Sequence, residues 1–278
     1  MGYIDLHVHS TVSDGTLSPE DLVAYACEKG LSAFALTDHD SVDGVDRAIR
    51  ASHYYPVRVI PGVEISTMYK DKLDLHILGL NIDYYNPRLV RTLEVLKVRR
   101  EDRNDKMCNL LQKQGIRISM DMLHDRLDSQ AITRSDMANI IVEQGFARTK
   151  GEAFEKYIGK NSLCFVPRYK LSVEEAAKLI KDAGGVCVLA HPIQYNCTAD
   201  EYRDLFADVQ DMGVDGIEAI YSTHSFDDEL MFKELAERMD MFITGGSDFH
   251  GANKPDIDLG TGKGNLMIPD TLLAKMGI

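Results

Sequence analysis

The first residues with clear chemical potential are His7 and His9, which stand at alternate positions at the end of an apolar run. Alternate side chains of an extended strand point to one face, so both imidazoles can be aimed at a single point. Asp14 follows in a glycine-containing loop and adds a carboxylate. Either histidine alone would more often be structural, whereas the pair with a nearby acid is a donor set for a divalent metal. The spacing therefore predicts a metal site.

Similar side chains recur where later apolar runs end. His39 lies between Asp38 and Asp40, and a neighbouring acid can hold the second ring nitrogen of a histidine ligand. Glu64 stands among apolar neighbours, where an ionised carboxylate is costly unless it is paired or binds a cation. A salt bridge to a surface arginine is the structural alternative for Glu64, and a satisfied core residue is the alternative for a lone strand histidine. The remaining candidate ligands are His76, His191, Asp248 and His250.

These candidates need a scaffold that brings strand ends together. Short apolar runs alternate with longer amphipathic stretches, which is typical of βα units that close a parallel sheet or barrel. Such barrels build their active sites on the rim at the carboxyl ends of the strands. We predict an α/β protein with seven strands, over Tyr3–Val8, Ala33–Leu36, Arg58–Val63, Asp74–Leu80, Val186–Ala190, Gly216–Ile220 and Met241–Thr244.

Helix signals separate several of these runs. Ser18 can cap a helix in which Pro19 fits the first turn, and Gly30 stands where that helix should stop. Residues 171–175 open another helix that ends at Gly184, directly before the fifth strand.

A long interval, residues 87–170, separates the fourth and fifth strands and has helical periodicity with few strand signals. It is too long for one crossover connection. We predict that residues 1–86 and 171–278 form the barrel with the metal site, and that residues 87–170 form an inserted helical subdomain covering the pocket.

Composition limits the classes of function. The 278 residues, 44% of them hydrophobic, can bury a sizeable core, and the net charge of −13 argues against a long nucleic acid as partner. A small anionic substrate stays compatible with that charge. The sequence shows no secretory signal, no apolar run of about 18 residues and no paired cysteine spacing. We expect a cytoplasmic protein without membrane contact or an obligate protein partner.

Five segments, taken in order, resemble the motifs of the PHP (polymerase and histidinol phosphatase) family of metal-dependent phosphoesterases. They are His7-Val8-His9, Thr37-Asp38-His39-Asp40, Pro61-Gly62-Val63-Glu64, Ala190-His191-Pro192 and Ser247-Asp248-Phe249-His250. The match spans nearly the whole chain and is closest to the free-standing members that act on nucleotides, which carry a helical insertion and a segment like residues 133–138. The resemblance implies a distorted seven-stranded, TIM-like β/α barrel, in agreement with the strand count.

The resemblance also implies three divalent metals. One would be bound by His7, His9, Glu64 and Asp248, a second by Glu64, His76 and His191, and a third by Asp14, His39 and His250. Mixed imidazole and carboxylate ligands suit Mn, Fe or Zn better than Ca or Mg. We expect manganese, with iron or zinc as alternatives.

Such ligands support hydrolysis by a metal-activated hydroxide, with the cations neutralising charge on the phosphoryl oxygens. By resemblance, Asp14 and His224 are the expected catalytic residues. Arg134 and His224 match positions that face the substrate phosphate, where His224 would bind phosphate or protonate the leaving oxygen. A surface or capping role is the alternative for Arg134 and for His224.

The predicted activity is hydrolysis of a phosphate ester of a small molecule, first of all a nucleoside monophosphate or a nucleoside 3′,5′-bisphosphate. Two departures from the family pattern bear on the substrate, because Asp136 and Gln194 stand where relatives often carry basic residues. A sugar cyclic-phosphate phosphodiesterase and a histidinol-phosphate-like phosphatase are the alternatives within the class.

Two alternatives come from other classes. Amidohydrolase-type C–N hydrolases also begin with His-x-His, but they typically bridge their metals with a lysine on the fourth strand, whereas Glu64 occupies the bridging position here. A non-catalytic metal-binding module is the other alternative, and the complete ligand set together with Arg134 argues against it.

Overall fold

The computed structural model describes residues 2–126 and 131–278. Its strands are β1 (Tyr3–Val8), β2 (Leu31–Leu36), β3 (Arg58–Tyr69), β4 (Leu73–Leu80), β5 (Leu171–Ser172), β6 (Val186–Leu189), β7 (Gly216–Tyr221) and β8 (Phe242–Gly246). Its α-helices are α1 (Pro19–Glu28), α2 (Val45–Ser52), α3 (Pro87–Lys113), α4 (Met120–Arg126), α5 (Arg134–Glu143), α6 (Lys150–Ala153), α7 (Val173–Asp182), α8 (Ala199–Asp211), α9 (Phe226–Arg238) and α10 (Thr271–Lys275). None of the helices in these two ranges is long and apolar enough to cross a membrane.

The strands form a nearly closed barrel in the order β1-β2-β3-β4-β6-β7-β8. Between the two ends of this order, Val8 forms a parallel bridge with Phe249, and the Asp248 amide donates to the His7 carbonyl at 2.9 Å. The predicted seven-stranded α/β barrel is therefore confirmed. The two-residue β5 is an addition, since residues 171–172 were expected only to open α7 and instead pair first with Thr67 and Met68 of β3.

One barrel strand runs against its neighbours, because β4 pairs antiparallel with both β3 and β6. β3 continues to Tyr69, and the chain reverses through Lys70 and Asp71, which both adopt positive φ. Such backbone angles suit the tight reversal of a β-hairpin. The reversal brings the first half of β4 to the rim where parallel strands end, and His76 lies there opposite Ser66.

Two apolar clusters support this barrel. One includes Ile4 and Leu6 of β1, which are fully buried and alternate with Asp5 and His7. The other packs α1 and α2 against the outer side chains of the neighbouring strands, including Phe34. This packing fixes β1 in the barrel. The pairing of β1 with β2 shifts register between Asp5 and Val8, so the direction of His7 does not follow from strict alternation alone.

The helix signals at the first βα connection are confirmed. The Ser18 hydroxyl accepts a hydrogen bond from the Asp21 amide at 3.0 Å, and Pro19 is the first residue of α1. Gly30 adopts a φ of +72° just after the helix. Ser18 and Gly30 fix where α1 begins and ends, and therefore where β2 begins.

The chain divides into two compact units. One comprises Met1–Leu93 with Lys170–Ile278 and contains the barrel, and the other is Glu94–Tyr169. The second unit has its own apolar cluster, which includes Met107, Leu111 and Ile141. The predicted insertion began seven residues earlier, at residue 87, whereas the division falls within α3. That this unit covers the pocket stays a prediction.

Gly246 lies where β8 passes closest to β1. A Cβ at this position would be 2.3 Å from the His7 Cβ and 2.7 Å from the His7 amide nitrogen. We expect Gly246→Ala to force the two strands apart and to lower the free energy of unfolding by about 2–3 kcal/mol, measured by urea denaturation. Gly151→Ala is the control, since its nearest neighbour is 3.7 Å away. A Gly246→Ala change no larger than that of the control would contradict this account of barrel closure.

Candidate metal centre

Two histidines at the end of β1 contribute to the site, His7 within the strand and His9 directly after it. His7 and His9 are fully buried. The His7 Nε2 atom lies 3.4 Å from Glu64 Oε1 and 3.6 Å from Asp248 Oδ1. The His9 Nε2 atom lies 3.3 Å from Glu64 Oε2 and 3.3 Å from Asp248 Oδ1. The two imidazoles therefore converge on the same pair of carboxylates.

Glu64 is the centre of the arrangement. In addition to His7 and His9, Glu64 contacts two imidazoles through Oε1, which lies 2.8 Å from His76 Nδ1 and 3.1 Å from His191 Nε2. Its Oε2 lies 2.8 Å from His39 Nδ1. One buried carboxylate thus contacts five imidazoles, and the structural alternative of a surface salt bridge is wrong for Glu64.

Asp14 organises a second group of ligands beside the first. Its Oδ1 lies 3.2 Å from His250 Nε2 and 3.7 Å from His9 Nδ1. Its Oδ2 lies 3.8 Å from His39 Nε2. Asp14 is partly exposed, whereas His9 and His250 are buried. The loop after β1 therefore brings the Asp14 carboxylate close to His9, which directly follows the strand.

Potential ligand atoms lie close enough together in three overlapping groups to hold a metal ion. The groups are His9, Asp14, His39 and His250; His7, His9 and Asp248; and His39, Glu64 and His76. His191 adjoins the last group through its contact with Glu64. The structure thus brings together all nine residues that the sequence suggested as ligands. His9 and His39 each belong to two groups, and the assignment of each to a single metal stays a prediction.

The three carboxylates of the site, Asp14, Glu64 and Asp248, all have lowered pKa values. Burial by itself would raise their pKa values, but nearby cationic side chains more than reverse this effect. The pKa of Glu64 lies well below its usual range because of His39 and other imidazoles, and that of Asp248 is held down chiefly by Lys254. The pKa of Asp14 is lowered beside His39. The lowered pKa values favour the negatively charged form of these carboxylates, which is the form that binds a cation.

The imidazoles differ in their electrostatic surroundings. Burial lowers the pKa of His9 to about 3. Burial also opposes the charging of His7, but the Glu218 carboxylate prevails and the pKa of His7 is raised well above its usual value. For His39 the Glu64 carboxylate outweighs burial and raises the pKa to about 9. A cation that binds these rings takes the place of their protons, since only a neutral imidazole is a ligand.

Several buried ligand atoms lack a hydrogen-bond partner among the described residues. They include Nε2 of His7, Nε2 of His9, Oε2 of Glu64 and Oδ1 of Asp14. Buried polar atoms without partners are rare, because each carries a desolvation cost. Lone pairs of nitrogen and oxygen that face one another at 3–4 Å are what a divalent ion would satisfy. The residues present therefore fit a metal centre.

Sequence reasoning missed the residues that hold the ligands. Glu218 in β7 is fully buried and lies 3.0 Å from His7 Nδ1. The Asp248 Oδ2 atom accepts hydrogen bonds from the Tyr221 hydroxyl at 2.8 Å and from Lys254 Nζ at 2.6 Å, which leaves Oδ1 towards the imidazoles. The reasoning applied to Glu64 would have found Glu218, since it too is an acid within an apolar strand. No local signal marks Tyr221 or Lys254.

One of the two acids beside His39 has another role. Asp38 or Asp40 was expected to hold the second nitrogen of His39, and the Asp38 carboxylate instead accepts from the Ser10 amide at 2.8 Å, the Ser10 hydroxyl at 2.7 Å and the Ser13 hydroxyl at 2.6 Å. Asp38 therefore fixes the loop that carries Asp14. The reason is geometric, since the β1 and β2 ends are adjacent and the loop folds between them.

His224 lies after β7, outside the three ligand groups. Its Nδ1 donates to the Ala219 carbonyl at 2.9 Å, and its buried Nε2 has no hydrogen-bond partner in the described part of the chain. Its ring is 5.3 Å from the ring of Tyr221, which in turn binds Asp248. Burial lowers the pKa of His224. The Nδ1 proton is thus held by the Ala219 carbonyl, whereas Nε2 is left unpaired among the described residues.

Arg134 begins α5 in the Glu94–Tyr169 unit. Its guanidinium lies over the rings of Phe154 and Phe165, at 5.6 and 5.8 Å. It is one of a group of arginines, since Arg103 is buried and its pKa is lowered to about 9 by burial and by the charges of Arg168, Arg134 and Arg100. The helical unit therefore concentrates positive charge in an otherwise acidic chain.

The two residues that depart from the family pattern are engaged in local contacts. Asp136 Oδ2 accepts from the Thr133 amide at 2.8 Å and from its hydroxyl at 2.7 Å, at the start of α5. Gln194 donates its side-chain amide to the Tyr221 hydroxyl at 2.7 Å. Asp136 thus serves helix initiation, while Gln194 supports the tyrosine that binds Asp248.

Comparison with known proteins identifies the family. Residues 5–212 match the PHP domain. The chain belongs to the PHP family. A 5′-3′ exoribonuclease of Haemophilus influenzae is 36% identical over 246 residues, covering 88% of this PHP chain and 89% of the relative. A 3′,5′-nucleoside bisphosphate phosphatase of Chromobacterium violaceum is 33% identical over 261 residues, covering 94% and 91%.

A solved structure supports the same conclusion. It is described as that of a metal-dependent phosphoesterase from Bifidobacterium adolescentis, and it superimposes on this PHP chain with a TM-score of 0.82 at 27% identity, covering 98% and 94% of the two chains. The relatives share hydrolysis of phosphoric esters. The sequence-based assignment to the PHP family is confirmed, and the chain is a metal-dependent phosphoesterase.

Proposed function

We propose that this phosphoesterase acts on a small nucleotide, namely a nucleoside 3′,5′-bisphosphate or a nucleoside monophosphate. The observation that carries the proposal is the convergence of five imidazoles on the buried Glu64 carboxylate, with partnerless nitrogens facing inward. The likeness to the Chromobacterium violaceum bisphosphate phosphatase supports the choice of substrate. The net charge of −13 also favours a small substrate over a long nucleic acid.

We propose that three divalent ions, manganese first, bind the nine ligand residues. Bound there, such ions acidify a water and neutralise charge on the phosphoryl oxygens. The chain's part is to keep the lone pairs of His7, His9 and Glu64 directed inward. Tyr221 and Lys254 hold Oδ2 of Asp248, so that Oδ1 alone is presented to a cation.

His224 is the proposed proton donor to the leaving oxygen. Its Nδ1 proton is committed to the Ala219 carbonyl, so Nε2 is the atom that would bind phosphate or pass on a proton. Asp14 is the second proposed catalytic residue, as a ligand beside His250. Arg134 is the proposed phosphate-binding residue, because a guanidinium fork matches phosphate oxygens in geometry and charge.

A substrate panel tests the proposal. The metal-loaded protein would be given adenosine 3′,5′-bisphosphate, AMP, a phosphoribosyl 1,2-cyclic phosphate, histidinol phosphate and an acyl amide, and the products would be resolved by chromatography. We expect phosphate release from the bisphosphate or from AMP. If the cyclic diester is opened before any inorganic phosphate appears, the diesterase alternative replaces the proposal. If only the amide is hydrolysed, the proposed hydrolysis of phosphate esters is wrong.

A second candidate is removal of nucleotides from the 5′ end of a short RNA, favoured by the 36% identity to the Haemophilus influenzae exoribonuclease. A 5′-phosphorylated nucleotide that carries a phosphate ester on its 3′ oxygen is common to a 3′,5′-bisphosphate and to the first residue of such an RNA. A 5′-phosphorylated tetraribonucleotide added to the panel separates the two. A kcat/KM at least about tenfold higher for the RNA would favour the exonuclease, since that corresponds to about 1.4 kcal/mol of transition-state binding.

We expect His224→Ala to lower kcat about 100-fold with an ester that has a poor leaving group, because the proton donor is lost. With p-nitrophenyl phosphate, whose leaving group needs no proton, the loss should be much smaller. His53→Ala is the matched control, as His53 is exposed. Equal losses for both leaving groups would argue for phosphate binding rather than proton transfer by His224.

We expect Arg134→Ala to raise KM about tenfold while kcat changes little, since one charged hydrogen bond to phosphate contributes about 1.5–3 kcal/mol. Steady-state kinetics on the best substrate of the panel would measure this. Arg126→Ala is the control, because Arg126 is exposed and pairs with Glu143. A fall in kcat with an unchanged KM would contradict a role in substrate binding.

A further inference from the structure

Glu218 is a fully buried carboxylate that contacts two of the proposed metal ligands. Its oxygens lie 3.0 and 3.2 Å from Nδ1 of His7, and its Oε2 accepts the amide hydrogen of His191 at 2.6 Å. His7 belongs to β1 and His191 follows β6, so a single side chain of β7 touches ligands from two other strands.

The contact with His7 determines which ring nitrogen is available. A carboxylate accepts hydrogen bonds, so Nδ1 of His7 must carry the proton. Once a cation takes the place of the second ring proton, the Nε2 lone pair points towards Glu64 and Asp248, whose oxygens lie 3.4 and 3.6 Å away. Metal-bound histidines commonly donate their other ring hydrogen to a carboxylate, which fixes both tautomer and ring orientation.

The contact with His191 acts on the backbone. His191 has φ 30° and ψ 58°, in the left-handed region that non-glycine residues rarely occupy. Such a conformation persists only where the surroundings hold it. The 2.6 Å hydrogen bond from its amide to Glu218 does so, and the resulting turn directs the ring so that Nε2 lies 3.1 Å from Glu64 Oε1.

We propose that Glu218 is a positioning residue that sets His7 and His191 together, and so couples two metal positions of the centre. The proposal rests on the proposed ligand set, in which His7 and His191 bind different ions that share Glu64. In the described part of the chain, neither Asp14 nor His250 forms a hydrogen bond with Glu218, so we expect the ion bound beside Asp14 to be independent of Glu218. The single Glu218 carboxylate thus orients one ligand of each of two metal sites.

Glu218→Gln is the sharpest change, because it keeps the shape of the side chain. Glutamine offers one acceptor oxygen and one NH₂ donor, whereas Glu218 accepts from two donors, the His7 ring and the His191 amide. In either orientation of the amide, one donor of the pair faces another donor. The variant therefore weakens the contact with one of the two ligands. Because the two proposed ions share Glu64, we expect displacement of either ligand to weaken the binding of both ions.

The test is a titration of the metal-free full-length chain with Mn²⁺, followed by calorimetry, for the wild type, Glu218→Gln and the exposed control Glu237→Gln. We expect the affinity of two Mn²⁺ equivalents to fall about 10–100-fold in Glu218→Gln only. An unchanged affinity, or a loss confined to one equivalent, would overturn the coupling. Failure of the wild type to bind Mn²⁺ would overturn the ligand set itself, which separates the two proposals.

A second measurement needs no variant and holds even if Glu218→Gln does not fold. In the wild-type chain loaded with ¹¹³Cd²⁺, the histidine ¹⁵N spectrum reports the tautomer of each ring. We expect His7 to carry its proton on Nδ1, with the coupling to cadmium on Nε2. A cadmium coupling to Nδ1 of His7 would exclude the hydrogen bond to Glu218 and overturn the proposal.

Discussion

Glu64→Gln is expected to reduce kcat/KM at least about 10³-fold, which corresponds to about 4 kcal/mol of lost transition-state stabilisation. The carboxylate contacts five imidazoles, at 2.8 Å for His39 and His76. Glutamine would remove the negative charge and direct N–H groups at nitrogens whose lone pairs are needed. The bound metal should fall in parallel, as measured by elemental analysis of the purified protein.

The control for this experiment is Glu20→Gln. Glu20 is about half exposed and pairs with Arg47 on the surface, so its loss should leave metal content and turnover unchanged. Asp248→Asn and His191→Ala should behave like Glu64→Gln. Normal metal content and turnover in all three ligand variants would refute the assignment of the site.

Asp5→Ala is expected to produce the largest loss of stability among substitutions outside the ligand set, about 4 kcal/mol of unfolding free energy. Asp5 is fully buried and accepts hydrogen bonds from the amides of His7, Ser247 and Gly260, at 3.2, 2.9 and 2.8 Å, and from the Ser247 hydroxyl at 2.5 Å. Alanine would leave these donors buried without an acceptor. Urea denaturation with the metal removed would measure the effect apart from metal binding.

Asp200→Ala provides the comparison for Asp5→Ala. The Asp200 side chain is 86% exposed and forms a surface ion pair with Arg203, so the expected change in the free energy of unfolding is below about 1 kcal/mol. If Asp5→Ala were no more destabilising than Asp200→Ala, the proposed role of Asp5 in tying β1 to the chain after β8 would be wrong.

The ligand residues could be identified before the fold was known, because their types are rare and their positions regular. His7 and His9 share a strand face, and each further ligand follows or interrupts an apolar run. The same apolar runs located the seven barrel strands. The bounds of β1 were predicted without error, whereas β3 extends six residues beyond its predicted end at Val63. Ligand residues can therefore be predicted from the sequence where they depend on residue type and local periodicity.

The antiparallel direction of β4 could not be predicted from the sequence. Its apolar pattern is the same whether the strand runs parallel or antiparallel, and the hairpin depends on Lys70 and Asp71 adopting positive φ. Asp38 illustrates the same limit, since nothing local distinguishes a partner in His39 from one in Ser10 and Ser13.

The sequence by itself determined the class of the fold, the family and the set of side chains able to bind metal, since these depend on composition, order and short-range spacing. Only the tertiary structure decided which atoms face one another. Glu218 meets His7 across 211 positions and Asp5 meets Ser247 across 242, contacts that no local pattern encodes. Hydrogen-bond partners at such separations are set by strand order and register, which emerge when the whole barrel packs.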